Sequence, residues 1–281
     1  MTNKDLISQY VDTGMGIPRY QYDKLSSNDK KTYLRKIEMG IESKIKQFEE
    51  HDDEDDDYNL KDIYNSLDLD FLDYHYGILP ERIQTDLIYY NPLIIKNIKN
   101  PTEKIQLIAL REDIDLINDI VNNGTMPSEH VQLVTVTQKG YKIRYFDNPS
   151  EEVQLAAVKQ NGEAIRHILA KGIEPSQEVL LATVKEDGFM LFNIIKAGIT
   201  LSQEILIAAV SENSSSINYI ENPSEQVQLA AVNKSGKSIS NIKNPTPKVQ
   251  LVAVNNDIHA LRNIKNPTDE AIALHNKLYV R

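Results

Sequence analysis

The chain contains no cysteine among its 281 residues. Disulfide bonds and thiolate metal sites are therefore excluded, and the composition suits a protein of a reducing compartment. The sequence also has no apolar run long enough to span a bilayer, and Met1 to Asp5 lack the basic start and the apolar core of a signal peptide. We expect a cytoplasmic protein that has no membrane partner.

The motifs of common catalytic sites are missing as well. There is no Gly-x-x-x-x-Gly-Lys phosphate loop, no Gly-x-Ser-x-Gly nucleophile elbow and no His-Glu-x-x-His zinc motif. The six histidines are far apart, with no pair at metal-binding spacing on one helix. We therefore predict that the protein is not an enzyme and that it holds no metal and no cofactor.

A repeated sequence fills most of the chain instead. Copies that are counted from a proline, or from a leucine in its place, begin 22 or 26 residues apart at Pro101, Pro127, Pro149, Pro175, Leu201, Pro223, Pro245 and Pro267. A degenerate first copy starts at Pro80. Such a period is typical of stacked helical repeats, because a unit this short cannot bury its apolar surface alone.

Each copy reads as two short helices. Asn148 is the predicted N-cap of a first helix, with Pro149 at the first helical position and Glu151 completing a capping box. After about three turns a glycine recurs that suits the left-handed residue at a helix end. These glycines are Gly140, Gly162, Gly188 and Gly236. A second helix follows, with apolar residues at repeat positions 17 and 20, such as Ile165 and Ile168.

Three copies contain four extra residues, which is about one helical turn. Each insertion brings a glycine three residues before the next copy, at Gly124, Gly172 and Gly198. We predict that the insertions lengthen the second helix and that these glycines end it. The first helix is apolar on nearly all sides, as in Val153 to Val158, so we expect it to be buried between neighbours. Its paired alanines, Ala156 and Ala157, would let adjacent helices approach closely.

The segment Ala156 to Ile165 resembles the Ala-Ala-Val-Lys-x-Asn-Gly-x-Ala-Leu signature of a bacterial helical-repeat domain of unknown function. The resemblance covers about residues 80–281, and it implies an α-solenoid without any known activity. The Ile-Pro-x-Tyr-Gln and Tyr-Leu-Arg-Lys motifs within residues 17–36 resemble the start of uncharacterised tailed-phage proteins. We predict an all-α fold, an α-solenoid of 22–26-residue helix-pair repeats with a helical N-terminal cap. The predicted divisions are an N-terminal helical segment (1–48), an acidic linker (49–58), a cap (59–79) and the solenoid (80–281).

The N-terminal segment separates its charges. A helix that begins near Ser26, with Asp29 in a capping box, has a basic face formed by Lys30, Lys31, Arg35, Lys36, Lys44 and Lys46. This face is either solvated or a contact for nucleic acid or a membrane surface. The acidic run that follows includes the possible electrostatic contacts Asp52, Asp53, Glu54, Asp55, Asp56 and Asp57. It reads as a solvated linker, although nucleic-acid mimicry, calcium binding and a latch on the basic helix stay open.

Two columns of side chains recur along the repeats. Position six is glutamine in six copies, and we expect its amide to bond to loop backbone of the neighbouring copy: Gln84, Gln106, Gln132, Gln154, Gln228 and Gln250. Position eighteen lies on the second helix and varies while the core positions repeat. Because one helix of each pair lines the binding face of such arrays, this column is the candidate partner-binding surface, and the alternative is a column that is merely solvated. Its members include Lys96, Arg144, Arg166, Phe192, Asn218 and Arg262.

The sequence thus favours a binding protein over an enzyme. Our first hypothesis is a phage-encoded solenoid that binds and inhibits or modulates a host protein of defence or replication. The alternative is a protein that binds nucleic acid through the basic helix and the arginine column, or that mimics nucleic acid with its acidic run. An oligomeric state does not follow from these patterns.

Overall fold

The structure, a computed structural model, describes residues 7, 17, 19–49 and 81–280. All regular elements in these ranges are helices, as the sequence predicts. The chain divides into two compact bodies, Met1–Val131 and Gln132–Arg281. The predicted acidic linker, apart from Glu49, and the predicted cap at 59–79 lie outside the described residues.

In the first body the helix Ser27–Glu49 begins as predicted, since Asp29 N donates to Ser26 Oγ at 3.1 Å and Ser26 Oγ donates to Asp29 Oδ2 at 2.8 Å. Its buried anchor is Tyr33, which the apolar pattern did not single out. The Tyr33 hydroxyl accepts a hydrogen bond from Ile17 N at 3.1 Å, and burial raises the pKa of this phenol well above its usual value. The helix packs against the first repeat helix, Glu81–Tyr90.

First helices recur throughout the repeats, and nearly all have ten residues. They are Glu81–Tyr90, Glu103–Glu112, Glu129–Gln138, Glu151–Gln160, Gln177–Glu186, Gln203–Glu212, Glu225–Lys234, Pro247–Asn256 and Asp269–Tyr279. The last of these belongs to the Pro267 copy, and Asp269, Glu270, Asn276 and Lys277 are exposed on it. The degenerate copy at Pro80 therefore forms the same first helix as the others.

Second helices occur in two forms. In most short repeats and in the first copy, the second helix is a single six-residue 3₁₀-helix: Pro92–Asn97, Gly140–Tyr145, Ser214–Tyr219, Gly236–Asn241 and Ile258–Asn263. In the three long repeats a 3₁₀ turn leads into a six-residue α-helix. The turns are Ile114–Leu116, Gly162–Ala164 and Gly188–Met190, and the α-helices are Ile117–Asn122, Ile165–Ala170 and Leu191–Lys196.

The prediction about the insertions is confirmed. Gly124, Gly172 and Gly198 have φ of 82°, 71° and 78°, the left-handed values that favour glycine. Each lies just after the C-cap residue of the α-helical second helix, for example Gly172 after Lys171, and turns the chain away from the helix. The four extra residues thus convert the end of a 3₁₀-helix into an α-helical turn closed by a glycine.

The prediction for the other glycines is wrong. Gly140, Gly162, Gly188 and Gly236 have no left-handed backbone, and each begins the second helix instead of ending the first. They are buried because the next repeat lies against them. A methyl group on Gly236 would be 2.6 Å from the carbonyl oxygen of Ala253, well inside van der Waals contact. These positions require glycine for space.

The predicted helix start is also wrong by two residues. The first helix of the Pro149 repeat begins at Glu151, and its N-cap is Ser150, whose hydroxyl accepts from Val153 N at 3.3 Å. The corresponding serine or threonine caps most other first helices, so Asn148 and Pro149 lie outside the helix. Serine and asparagine are similar in strength as N-caps, so the Asn-Pro pair was not decisive.

The glutamine column bonds to loop backbone, but mainly in its own repeat. Gln154 Nε2 donates to Pro149 O at 3.0 Å and Gln228 Nε2 donates to Pro223 O at 2.9 Å. Gln250 shows the predicted contact with the neighbour as well, since its Oε1 accepts from Thr268 N at 2.8 Å. The prediction of bonds to the neighbouring copy is therefore correct for Gln250. It is wrong for the bond that Gln154 and Gln228 make, because the carbonyl of the proline in their own repeat is nearer.

The core of the second body consists of the inner faces of both helices. The predicted positions 17 and 20 are buried, as at Ile239 and Ile242, and they pack with residues of the first helices such as Val227 and Val232. Of the paired alanines only the second is fully buried, at Ala157, Ala209 and Ala231, and Ala253, which follows Val252, is buried at the same repeat position. First helices of consecutive repeats contact one another in this body, from Glu151–Gln160 onward.

Candidate binding surface on the second helices

Most of the predicted position-eighteen residues lie on the second helices with exposed side chains: Lys96, Arg144, Arg166, Phe192, Asn218 and Arg262. Lys96 belongs to the first body, where its ammonium lies 3.7 Å from the carboxylate of Asp119. The other five belong to the second body. Asn118 in the first body is only half-exposed.

The most elaborate part of the column surrounds Arg144. Its guanidinium carbon lies 4.7 Å from the ring centre of Tyr145 and 5.4 Å from that of Tyr141, which is cation–π distance. The same guanidinium donates to the Tyr145 hydroxyl at 2.6 Å. Beneath these rings, Lys142 is almost fully buried with its ammonium 5.3 Å and 5.5 Å from the two ring centres. Two cations and two phenol rings thus form one cluster within a 3₁₀-helix.

The next repeat adds Arg166 and His167. Arg166 lies 3.7 Å from the carboxylate of Glu163, and both side chains are exposed, so this pair contributes little to stability. The pKa of His167 is lowered, first by partial burial and then by the positive charges of Arg144 and Arg166. The arginines of two neighbouring repeats therefore act on one imidazole, which is consistent with a continuous cationic surface.

The Pro175 and Leu201 repeats have aromatic residues on the same face of their second helices. The rings of Phe192 and Tyr219 are 5.0 Å apart at an angle of 48°, the tilted arrangement that aromatic pairs favour. Phe192 is nevertheless 44% exposed, and Phe189 beside it is 50% exposed. The two phenylalanines leave a substantial apolar area in contact with water.

We name this surface of the second body the cationic–aromatic strip, and it consists of Tyr141, Arg144, Tyr145, Arg166, His167, Phe189, Phe192 and Tyr219. The position-eighteen column identified three of its members. The others were missed because they are at positions 15 and 19, which share the exposed side of the second helix. A search for exposed aromatic residues at both sides of position eighteen would have found them. Farther along, Asn218 beside Tyr219, then Ser240 and Arg262, continue the column with mainly polar side chains.

The acidic run and the basic face of the N-terminal helix are the other predicted contacts. Asp52 to Asp57 lie outside the described residues. On the N-terminal helix Lys31 and Arg35 are exposed, whereas the Lys30 ammonium lies 5.2 Å from the ring centre of Tyr22 and donates to Asp23 O at 3.3 Å. The basic face is thus partly occupied by contacts within its own body.

One serine, one histidine and one carboxylate meet in the first body. Ser128 Oγ donates to Glu103 Oε2 at 2.6 Å, and His130 Nδ1 lies 2.8 Å from Glu103 Oε1. These two contacts lower the pKa of Glu103. The carboxylate stands between the other two groups, so the imidazole does not contact the hydroxyl that it would have to deprotonate. The arrangement joins consecutive repeats and does not resemble an activated nucleophile.

Across the ranges that the structure describes, histidine, aspartate and glutamate nowhere form a group of three that could hold a metal ion. Within the same ranges, no helix combines the length and apolarity that a membrane crossing requires. Comparisons with protein-family models, with curated proteins and with solved structures found no match to the chain. The resemblances seen in the repeat signature and in residues 17–36 therefore remain predictions.

Proposed function

We propose that this chain is a non-enzymatic protein-binding α-solenoid and that the cationic–aromatic strip is its partner-binding surface. The stacked arrangement is supported by the regular helix pairs and by the contacts between first helices of consecutive repeats in the second body. A series of second helices that share one exposed side offers an extended surface of the kind that repeat proteins use for binding.

The observation that carries the proposal is the composition of the strip. Interfaces are enriched in arginine, tyrosine and phenylalanine, and arginine and tyrosine are among the residues that contribute most of the binding energy. A partner that covered the exposed apolar area of Phe189 and Phe192 would gain binding free energy, since burial of apolar surface is worth about 25 cal/mol per Å². Arg144 is held against Tyr145 in the free protein, so little side-chain entropy is lost when a partner binds.

The wider biological role rests on the resemblance of residues 17–36 to tailed-phage proteins. We propose on that basis that the chain is phage-encoded and that its partner is a host protein of defence or replication in the host cytoplasm. A non-enzymatic inhibitor needs only a surface that occupies its target, and the strip supplies such a surface without a catalytic group.

One observation favours a second candidate function. Arginine interleaved with aromatic rings is also the pattern by which proteins bind single-stranded nucleic acid, through phosphate contacts and base stacking. The chain has a net charge of -10, and the carboxylate of Glu163, next to the strip, lies 3.7 Å from the Arg166 guanidinium. Overall negative charge disfavours a polyanion, so we rank this candidate below protein binding.

The proposal is tested by capture from bacterial lysate, with and without nuclease. The tagged wild-type protein is compared with the double variant Arg144→Glu/Arg166→Glu and with Lys159→Glu/Lys185→Glu as a matched control. Lys159 and Lys185 are exposed cations on the first helices, away from the second-helix surface. All three proteins should have the same helical circular dichroism, because none of the replaced side chains is in the core.

We expect the wild type and the lysine control to retain the same protein in near-stoichiometric amount after nuclease, and the arginine variant to lose it. Retention by all three proteins would contradict the site assignment. Recovery of nucleic acid, with loss of proteins after nuclease, would favour the second candidate function.

A further inference from the structure

The two ends of the strip differ in chemistry, and this difference indicates which kind of segment would bind to it. Its cationic part, Arg144 and Arg166, lies on two consecutive repeats, and its aromatic part, Phe192 and Tyr219, lies on the next two. We propose that the strip binds an extended acidic segment of the partner, with two carboxylates at the arginines and one bulky apolar side chain on the Phe192 and Tyr219 rings. This inference rests on the proposed function and deepens it.

The charge of Arg144 favours an acidic partner segment. In the part of the chain that the structure describes, no carboxylate lies within 4 Å of the Arg144 guanidinium, which instead contacts phenol rings. Lys142 packs against the same rings, with its ammonium 5.5 Å from the ring centre of Tyr141 and 5.3 Å from that of Tyr145. A carboxylate that approached Arg144 would meet an uncompensated cation whose planar fork can bind it in bidentate fashion.

The surrounding surface restricts where an acidic segment can bind. The first helices begin with exposed carboxylates, among them Glu151, Glu152, Glu178, Glu204 and Glu225. An acidic segment is repelled there and is attracted to the second helices. The overall charge of -10 does not create this contrast, because residues 1–79 hold ten Lys and Arg against eighteen Asp and Glu and so account for -8 of it. The contrast comes from where the charges lie within the second body.

Spacing gives the segment its register. Packed helices are about 8–10 Å apart, so side chains in one column recur at about that distance from repeat to repeat. A polyproline II segment places every third residue on the same side and rises about 3.1 Å per residue, or about 9 Å per turn. Two acidic residues and one apolar residue, each separated by two others, therefore match Arg144, Arg166 and Phe192.

The test uses a fluorescein-labelled peptide, Gly-Asp-Pro-Pro-Asp-Pro-Pro-Phe-Gly, and fluorescence anisotropy with the full chain. A second peptide replaces both aspartates by asparagine, and a third places the aspartates next to each other. A labelled oligo-deoxythymidine serves as the nucleic-acid probe. The proteins are the wild type, Arg144→Glu/Arg166→Glu, Phe192→Ala and the control Lys159→Glu/Lys185→Glu.

We expect saturable binding of the first peptide to the wild type and to the lysine control. Binding should be at least about tenfold weaker for the arginine variant and for the asparagine peptide, and about fivefold weaker for Phe192→Ala and for the third peptide. Affinity should fall as salt concentration rises, because exposed charges are screened.

Equal binding of the aspartate and asparagine peptides, or no saturation up to about 1 mM, would overturn the inference. Binding of oligo-deoxythymidine without binding of the peptide would overturn it in favour of nucleic acid. These outcomes are separable from failure of the proposed function. If the lysate partner is lost with the arginine variant but the peptide does not bind, the strip is a protein-binding surface for a different chemistry. If capture is indifferent to the arginines, the proposed function itself fails.

Discussion

The long and short repeats of the second body bury the same apolar positions, although their second helices differ. The Pro149 and Pro175 repeats have 26 residues, and the Leu201, Pro223 and Pro245 repeats have 22. Positions 17 and 20 are apolar and largely buried in both kinds, as at Ile165 and Ile168 in a long repeat and at Ile239 and Ile242 in a short one. The additional residues are added beyond this pair, so the length difference leaves the core unchanged.

The difference appears at the end of the second helix. In a short repeat the 3₁₀-helix stops at an extended residue, for example Ile242 with φ of -102° and ψ of 114°. In a long repeat the chain continues as an α-helix and ends at a left-handed glycine such as Gly172. Six residues of 3₁₀-helix are already near the upper limit for this strained geometry, so added residues adopt the α-helical form. Insertions of one α-helical turn are therefore accommodated, and consecutive first helices contact one another in long and in short repeats.

The largest expected loss of stability comes from replacing the buried second alanine, which long and short repeats share. Ala157→Arg in a long repeat and Ala231→Arg in a short repeat should each destabilise the protein by about 4–5 kcal/mol, because both sites are fully buried and the new charge has no partner. Thermal and urea unfolding measure the loss. The half-buried neighbours provide controls, since Ala156→Arg and Ala230→Arg can direct the guanidinium to solvent and should cost about 1 kcal/mol or less.

A large difference between Ala157→Arg and Ala231→Arg would show that long and short repeats do not share one interface. Such a result would contradict the conclusion that both kinds of repeat bury the same positions. An equally small loss at both sites would contradict the assignment of the first helix as buried between neighbours.

A smaller effect separates two kinds of glycine. Gly236→Ala should destabilise by about 3 kcal/mol, since its methyl group would meet the Ala253 carbonyl of the next repeat. Gly172→Ala should cost only about 1–2 kcal/mol, because the space around it is open and only the left-handed backbone opposes alanine. Urea unfolding of both variants checks the order. Gly236→Asn and Gly172→Asn discriminate further, because asparagine tolerates the left-handed region but is larger, so it should rescue position 172 and worsen position 236.

The repeat period predicts the all-helical content of this fold and its recurring helix pairs. Periodicity, the insertion glycines and the apolar positions 17 and 20 all depend on local sequence and were correct. The glycines at the start of the second helix were misread, because a close approach by Ala253 of the next repeat is not visible in the sequence around Gly236. The helix start was misread because Asn148 and Ser150 are both competent caps, and only the structure shows which hydrogen bond forms.

The candidate site was predicted only in part for a related reason. A column argument selects one position per repeat, and it found Arg144, Arg166 and Phe192. A 3₁₀ or α-helical surface exposes adjacent positions as well, so Tyr145 and Tyr219 were overlooked until the helix geometry was known. Physical proximity between repeats, such as the Phe192 and Tyr219 ring pair, has no signature in the local sequence.

The smallest expected effect is electrostatic, and it also depends on repeat length. The pKa of His167 is lowered from its ordinary 6.5 by burial, then by Arg144 and Arg166, and to a lesser extent by Lys171, while Glu163 opposes the shift. Lys171 belongs to the added turn of the long repeat. Arg144→Gln should therefore raise the pKa of His167 by more than Lys171→Gln does, and Arg262→Gln, on a more distant repeat, should leave it unchanged. Titration of the His167 ring proton by NMR measures each value.

The sign of the shift has consequences for both stability and binding. The folded protein binds this proton less tightly than the unfolded chain, so unfolding takes up a proton as pH falls through about 6.5 and the free energy of unfolding decreases. An acidic segment bound at Arg144 and Arg166 would oppose the two arginine charges and raise the pKa of His167, so its affinity should increase as pH falls through that range. If the pKa of His167 did not change in Arg144→Gln, the arginines of neighbouring repeats would not act on a common surface, and the strip would separate into independent patches, one on each repeat.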